Sequence, residues 1–342
     1  MAEHRPVEFA NFVCRAGSLE LLDFVDTVIL PAFMSPLSRK WGDNSYFLHD
    51  VRVIDLAPEM RNGVLAVCGR FVKDTVLHSQ QIFDQGELVA NNQKIKSSPS
   101  AFFVLLLEQH KLIYCSEYKG APSLETLRST LQQFIGRTHS TYIHAVYEEC
   151  KADAQASSFE KRERVTKVAL LADFPRPTLE IVPLASQESI EEFIKRFKTL
   201  QSMTIRLIKP NNEINNEGFF KAMRGNSEKL GASTSALTYK NSDGLSKATA
   251  ASHAEAAADG NAELKFSGKD KDGQQLSGSN DDFRVVRFVQ DLPSKPVAAA
   301  RRLFQEFMSA RKSGLIAGEP AAADRQEARL AVVRQMVTNN ED

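Results

Sequence analysis

Between residues 46 and 118 the chain carries four runs whose composition suits strands: residues 46–56, 64–78, 100–108 and 111–118. They are rich in β-branched and aromatic side chains, which fit a pleated, half-buried surface. Turn signals divide them, among them the Asn62-Gly63 dipeptide and a hairpin connection over residues 108–111. A further strand is expected over residues 7–15. Ser18 then caps a helix whose apolar positions Leu21, Leu22, Val25, Val28 and Ile29 end before Pro31. Past the sheet, Ser123 caps a helix with Leu124, Leu127, Leu131, Phe134 and Ile135 on one face. Residues 1–150 therefore predict an antiparallel α+β domain with its helices on one side of the sheet. Residues 33–44 contain Pro36 and Gly42 and read as a loop whose Trp41 folds back onto the core.

The second half is organised around residues 178–210. Leu179 and Ile181 alternate with Thr178, Glu180 and Val182. Ile190, Phe193, Ile194 and Phe197 recur at helical spacing, and Met203, Ile205 and Leu207 alternate again. Ser189 with Glu192 fits a capping box, with Ser186 as a rival cap. Strand, helix and strand suggest a right-handed βαβ crossover. A helix over 217–230, a strand over 236–239, a helix over 245–258 and strands over 262–266 and 283–289 follow, the last two separated by a polar loop at 269–282. In that loop Asp270-Lys271-Asp272-Gly273 reads as a turn, because the downstream ligands of an EF-hand are missing. The order of elements in 176–314 resembles a ferredoxin-like α/β sandwich with an extra strand. Residues 151–175 form a charged connector. A helix over 296–312 closes the second unit, and residues 315–342 form a helical tail carrying Leu330, Val333 and Val337, which docks in cis or serves a partner.

Lys plus Arg and Asp plus Glu number 43 each, so the net charge is zero, whereas a protein that coats nucleic acid is usually basic. Nucleic-acid contact would need a local patch, for which Lys161, Arg162, Arg164, Arg206, Arg301 and Arg302 are the candidates. Glu160 and Glu163 interleave the first three, which reads as a solvated helix face. Cys14, Cys68, Cys115 and Cys150 form no CxxC pair, and we take them as reduced thiols of a cytoplasmic protein. No signal-type segment opens the chain and no apolar run approaches membrane-spanning length, so no membrane association is expected.

No P-loop, GxGxxG, HExxH, GxSxG or kinase signature is present. The remaining chemical motif is Glu117-Tyr118-Lys119 at a strand end, the ExK tripeptide of restriction-type nucleases. There two acids hold a divalent metal and a lysine orients water. Asp84, Glu87 and Glu108 are candidates for the second acid. His139, His144, Glu148 and Cys150 are spaced poorly for a closed zinc site, and His110 reads as a solvated turn residue. The expected function is thus a non-enzymatic binding protein without a cofactor. It would join a protein partner, self-associate or serve as a subunit of an assembly, with local nucleic-acid contact. A bacterial antiviral defence system would suit it, although no residue speaks to that. The alternative is a nuclease using Glu117 and Lys119, with Glu108 or Asp84, and Mg or Mn.

Overall fold

A computed structural model describes residues 4–60, 63–84, 86–156, 165–208, 223, 225–227, 229–232, 234–255, 262–316 and 327–337. The chain opens with β1 (Arg5–Ala16) and β2 (Leu19–Glu20). Glu20, not Ser18, caps the next turn, in a reciprocal box with Asp23. A 3-10 turn and a π turn then lead into α1 (Leu30–Met34). Pro31 lies in the first turn of α1, where a missing N–H is tolerated, so the helix passes it. Eight strands follow: β3 (Ser38–Trp41), β4 (Asn44–Asp55), β5 (Leu65–His78), β6 (Gln81–Asp84), β7 (Glu87–Ala90), β8 (Lys94–Ser97), β9 (Ser100–Leu106) and β10 (Lys111–Ser116). β3 occupies part of the expected loop at 33–44.

The Oγ of Ser123 accepts the amide of Thr126 and starts α2 (Leu124–Ala156), which runs on into the expected connector. The rest comprises α3 (Lys167–Asp173), β11 (Thr178–Pro183), α4 (Gln187–Lys195), β12 (Phe197–Leu207), β13 (Ser235–Lys240), α5 (Lys247–Glu255), β14 (Ala262–Asp270), β15 (Gln275–Ser279), β16 (Val286–Val289), α6 (Pro296–Lys312) and α7 (Glu327–Arg334). Most of the helix expected over 217–230 lies outside the described residues. Ser186 is the cap of α4, accepting the Ser189 amide. No described helix is long and apolar enough to cross a membrane.

The architecture is α+β. The larger sheet has ten strands with the path β11-β1-β10-β9-β5-β4-β3; β2 and β16 also pair with β1, and β8 with β5. Its ladders are antiparallel. The helices of residues 1–150 lie on one side, as expected, and the other face is covered by α6, from outside that range. On β9, Ala101, Phe103 and Leu105 enter a core with α1, α2 and α7, while Phe102, Val104 and Leu106 enter a second core with α6. Successive strand residues point to opposite faces, so a strand buried on both sides must be apolar without interruption. That explains why residues 101–107 carry no polar position. The tail helix does dock in cis, through buried Leu330 and Val333.

The βαβ crossover is not formed. β11 pairs with β1, setting Leu179 beside Cys14 and Ile181 beside Phe12, whereas β12 belongs to a second sheet of order β13-β12-β14-β15. The alternation of residues 178–182 specifies a strand with one buried face but not the sheet that receives it. In the small sheet β13 and β14, joined by α5, run parallel with β12 between them, as in a split βαβ unit. All three pairings of the small sheet are antiparallel, and β15 fills part of the expected polar loop. The turn at residues 270–273 is a hairpin turn as expected, with Asp270 Oδ1 accepting the amides of Asp272 and Gln274. α4 and α5 cover one face of this sheet. Gly278 lets Phe193 lie flat against β15, since a Cβ there would sit 2.1 Å from the ring.

Candidate interaction surface: a ribbon projecting from one end of the large sheet

β5 outruns its neighbours. Up to Asp74 it is paired by β4 and up to Val72 by β9, but Thr75 to His78 pair with β8 alone. The ladder continues through Ser79 N–H to Gln93 O and Asn91 N–H to Gln80 O, both 2.9 Å, into the β6–β7 hairpin, which closes at Asp84 opposite Glu87. Residues 75–97 thus form a two-stranded ribbon with one extra residue on its outer strand, Asn92, a bulge.

Strand alternation, reset at that bulge, sorts the side chains. One face collects Leu77 and Ile95, which are opposite each other, Gln81 and Ala90, and Phe83 and Leu88. It carries no charge. The other face holds the charged positions Lys94 and Lys96 at the root and Glu87 at the tip. On the uncharged face Phe83 is 73% exposed, Leu88 66%, Ile95 56% and Leu77 53%. A contiguous exposed apolar patch marks an interaction site far better than scattered apolar residues do. The sequence signal for the ribbon is the pair Ile82-Phe83 mirrored by Leu88-Val89 about Gly86, whose φ is +90°.

The strand directions bring three more exposed aromatics to the same end of the sheet. Trp41 pairs with Asn44, whose neighbour Ser45 faces Asp74 at the ribbon root. Tyr118 follows the end of β10, and Phe288 lies on β16 opposite Pro6. Trp41 is 61% exposed, which corrects the expectation that it folds inward. Its ring lies 5.0 Å from the Arg39 guanidinium, which is held in turn by Ser129 and Thr130 of α2. Arg5 stands 5.9 Å from the Tyr118 ring.

The nuclease residues are not assembled. Glu117 is buried, and both its oxygens are 3.2 Å from Arg70 Nε; Ser100 Oγ donates to one at 2.6 Å. Arg70 also donates to Ser294 O and lies over Phe102. A metal at Glu117 would have to displace this guanidinium. Lys119 is exposed beside it. Glu108 sits in the turn at the other end of the β9–β10 hairpin, roughly 20 Å away at about 3.4 Å per residue. Burial raises the Glu108 pKa, and Arg334 of α7 works against that rise. Asp84 closes the ribbon tip. Among the described residues no three His, Cys, Asp or Glu side chains are grouped to hold a metal.

The basic candidates are dispersed. Lys161, Arg162 and Arg164 lie outside the described residues. Arg206 bonds Glu180 at 2.9 Å and Glu263 at 2.6 Å, on the wall of a cleft of about 420 Å³ between the two sheets. Arg302 bonds Glu306 at 2.6 Å, and Arg301 precedes it on α6. His139 meets Phe174 O at 2.9 Å, and His144 lies 4.0 Å from Glu148. His110 is buried, not solvated, and its pKa is pushed down to about 4, first by burial and then by Lys111 and Arg15. The thiols of Cys68 and Cys115 are pushed up to about 12 by burial, which makes them inert as nucleophiles.

Comparison with models of known protein families finds no match, and comparison with curated protein sequences finds none either.

Proposed function

We propose that this chain is a non-enzymatic, cytoplasmic binding subunit of a protein assembly, and that the ribbon with the sheet end beneath it is the docking surface. The uncharged face of the ribbon carries the reading: two exposed apolar cross-strand pairs, Leu77 with Ile95 and Phe83 with Leu88, stand on it with only uncharged residues between them. Binding energy at protein interfaces concentrates in aromatic and large apolar anchors, and Trp41, Tyr118 and Phe288 extend the same surface. An isolated two-stranded ribbon is marginal in water and gains order from packing against something else. Nucleic-acid contact takes second place, since Arg206 and Arg302 already spend their charge on carboxylates. The unpaired, buried Cys14, Cys68 and Cys115 suit a reducing compartment.

The test is a pull-down from the protein's own cell extract, after nuclease treatment, comparing the wild-type chain with the double variant Leu77→Asp, Phe83→Asp. Proteins retained by the wild type and lost by the variant are the expected result. The same proteins retained by both would remove the ribbon from the role.

A further inference from the structure

Both strands of a two-stranded ribbon are edge strands, each with one row of backbone N–H and C=O groups unpaired. The outer strand, residues 87–97, has a sequence that complements itself when reversed. Set antiparallel against a second copy, with a two-fold axis between Asn91 and Asn92, it places Glu87 opposite Lys96, Leu88 opposite Ile95, Val89 opposite Lys94 and Ala90 opposite Gln93. Acid meets base at Glu87 and Lys96, and apolar meets apolar at Leu88 and Ile95.

The bulge makes this possible. Leu88 and Ile95 are seven residues apart and in a regular strand would point to opposite faces. The extra residue Asn92 returns them to one face, the uncharged one, and sets Glu87 and Lys96 together on the other. Other registers lose the match. A shift of one residue sets Glu87 against Ile95 or Leu88 against Lys96, and it moves partners to opposite faces. A shift of two keeps Glu87 near Lys94 but sets Leu88 against Gln93. The inner strand offers no such match, because β6 and the end of β5 contain no lysine beyond Lys73.

We infer that residues 87–97 pair with the same residues of a second copy of this chain, across a two-fold axis, joining two ribbons into one four-stranded sheet. The inference rests on the reading of the ribbon as a docking surface and names its first occupant. A two-fold interface is self-complementary by construction, so each pair occurs twice. Three or more strands also give a sheet the stability that a lone hairpin lacks. Edge pairing leaves both faces open, so Leu77, Phe83, Leu88 and Ile95 of the two copies merge into one uncharged surface.

The test is the solution mass of the full chain over a concentration series, for the wild type, Glu87→Lys, Lys96→Glu and the double swap. The wild type is expected to reach twice the 38.0 kDa chain mass. Either single reversal sets like charges opposite each other at two symmetric places and should weaken the dimer roughly tenfold. The double swap restores acid opposite base and should recover most of that loss. All four side chains in these pairs are exposed, so circular dichroism is expected to stay unchanged. A wild type that stays monomeric, with Lys94 and Lys96 serving only to blunt an edge, would overturn the inference. So would reversals without effect, or a double swap no better than the singles. Leu77 and Phe83 lie on the inner strand and leave these pairs intact. Partner loss in their variant alongside a monomeric wild type would sink self-pairing alone, whereas a swap-rescued dimer with unchanged capture would sink the partner reading.

Discussion

Glu117 is held in a buried ion pair with Arg70 and accepts from Ser100. A catalytic carboxylate needs an oxygen free for metal, and here Arg70 and Ser100 occupy both. Replacing Glu117 by Ala would leave the Arg70 guanidinium over Phe102 without its main carboxylate, and removing one partner of a buried ion pair typically costs about 3 kcal/mol or more. Chemical unfolding of Glu117→Ala should show that loss; a nuclease role would instead leave stability intact. His110 gives a second residue-scale expectation. Its imidazole takes up a proton near pH 6.5 when unfolded but only near pH 4 when folded. Between these values the unfolded chain binds more protons, so stability is full above pH 6.5 and falls as the pH drops towards 4. The total is about 3 kcal/mol. His110→Asn suits the position, whose φ is +49°, because Asn tolerates the left-handed region. Its unfolding free energy should change less over that pH range. The sequence places His110 in a turn correctly. It does not reveal that the turn is buried beside Lys111 and Asn11, because those contacts join residues about a hundred positions apart.

Among elements, the ribbon and β9 are opposites. β9 is buried on both faces, while the ribbon has backbone partners on one side of each strand and few side-chain neighbours. Local opening is easiest where burial is least. Amide hydrogen exchange should therefore be faster over 79–93 than over β9 and β10. If the ribbons pair, exchange over 87–97 should slow as concentration rises, and no change with concentration would speak against ordering by association. Legibility follows the same division. Uninterrupted apolar runs such as residues 101–107 announce their strands, and so does the helical stripe from Leu124 to Ile135. β3 and β15 are short, polar and supported by neighbouring strands, so nothing in their own pattern marks them. Of the exposed aromatics at the ribbon end of the sheet, Trp41 stands out as a residue, but its exposure depends on the register of β3 with β4.

At the scale of the whole molecule, the two sheets were legible as strands and not as sheets. Periodicity says that one face of residues 178–182 is buried; it cannot say that β1 receives the strand. That pairing also has a consequence for synthesis. β1 at residues 5–16 is closed on one side by β10 but waits on the other for β11 and then β16 at 286–289. The core face of Phe102, Val104 and Leu106 waits longer, for α6 at 296–312. A nascent chain leaving the ribosome N-terminus first therefore carries that apolar face bare until residues 107–295 have followed it. Such exposure favours aggregation, the more so in a topology rich in distant contacts. The order of emergence should therefore make this chain depend on whatever shields growing polypeptides until α6 has left the exit tunnel.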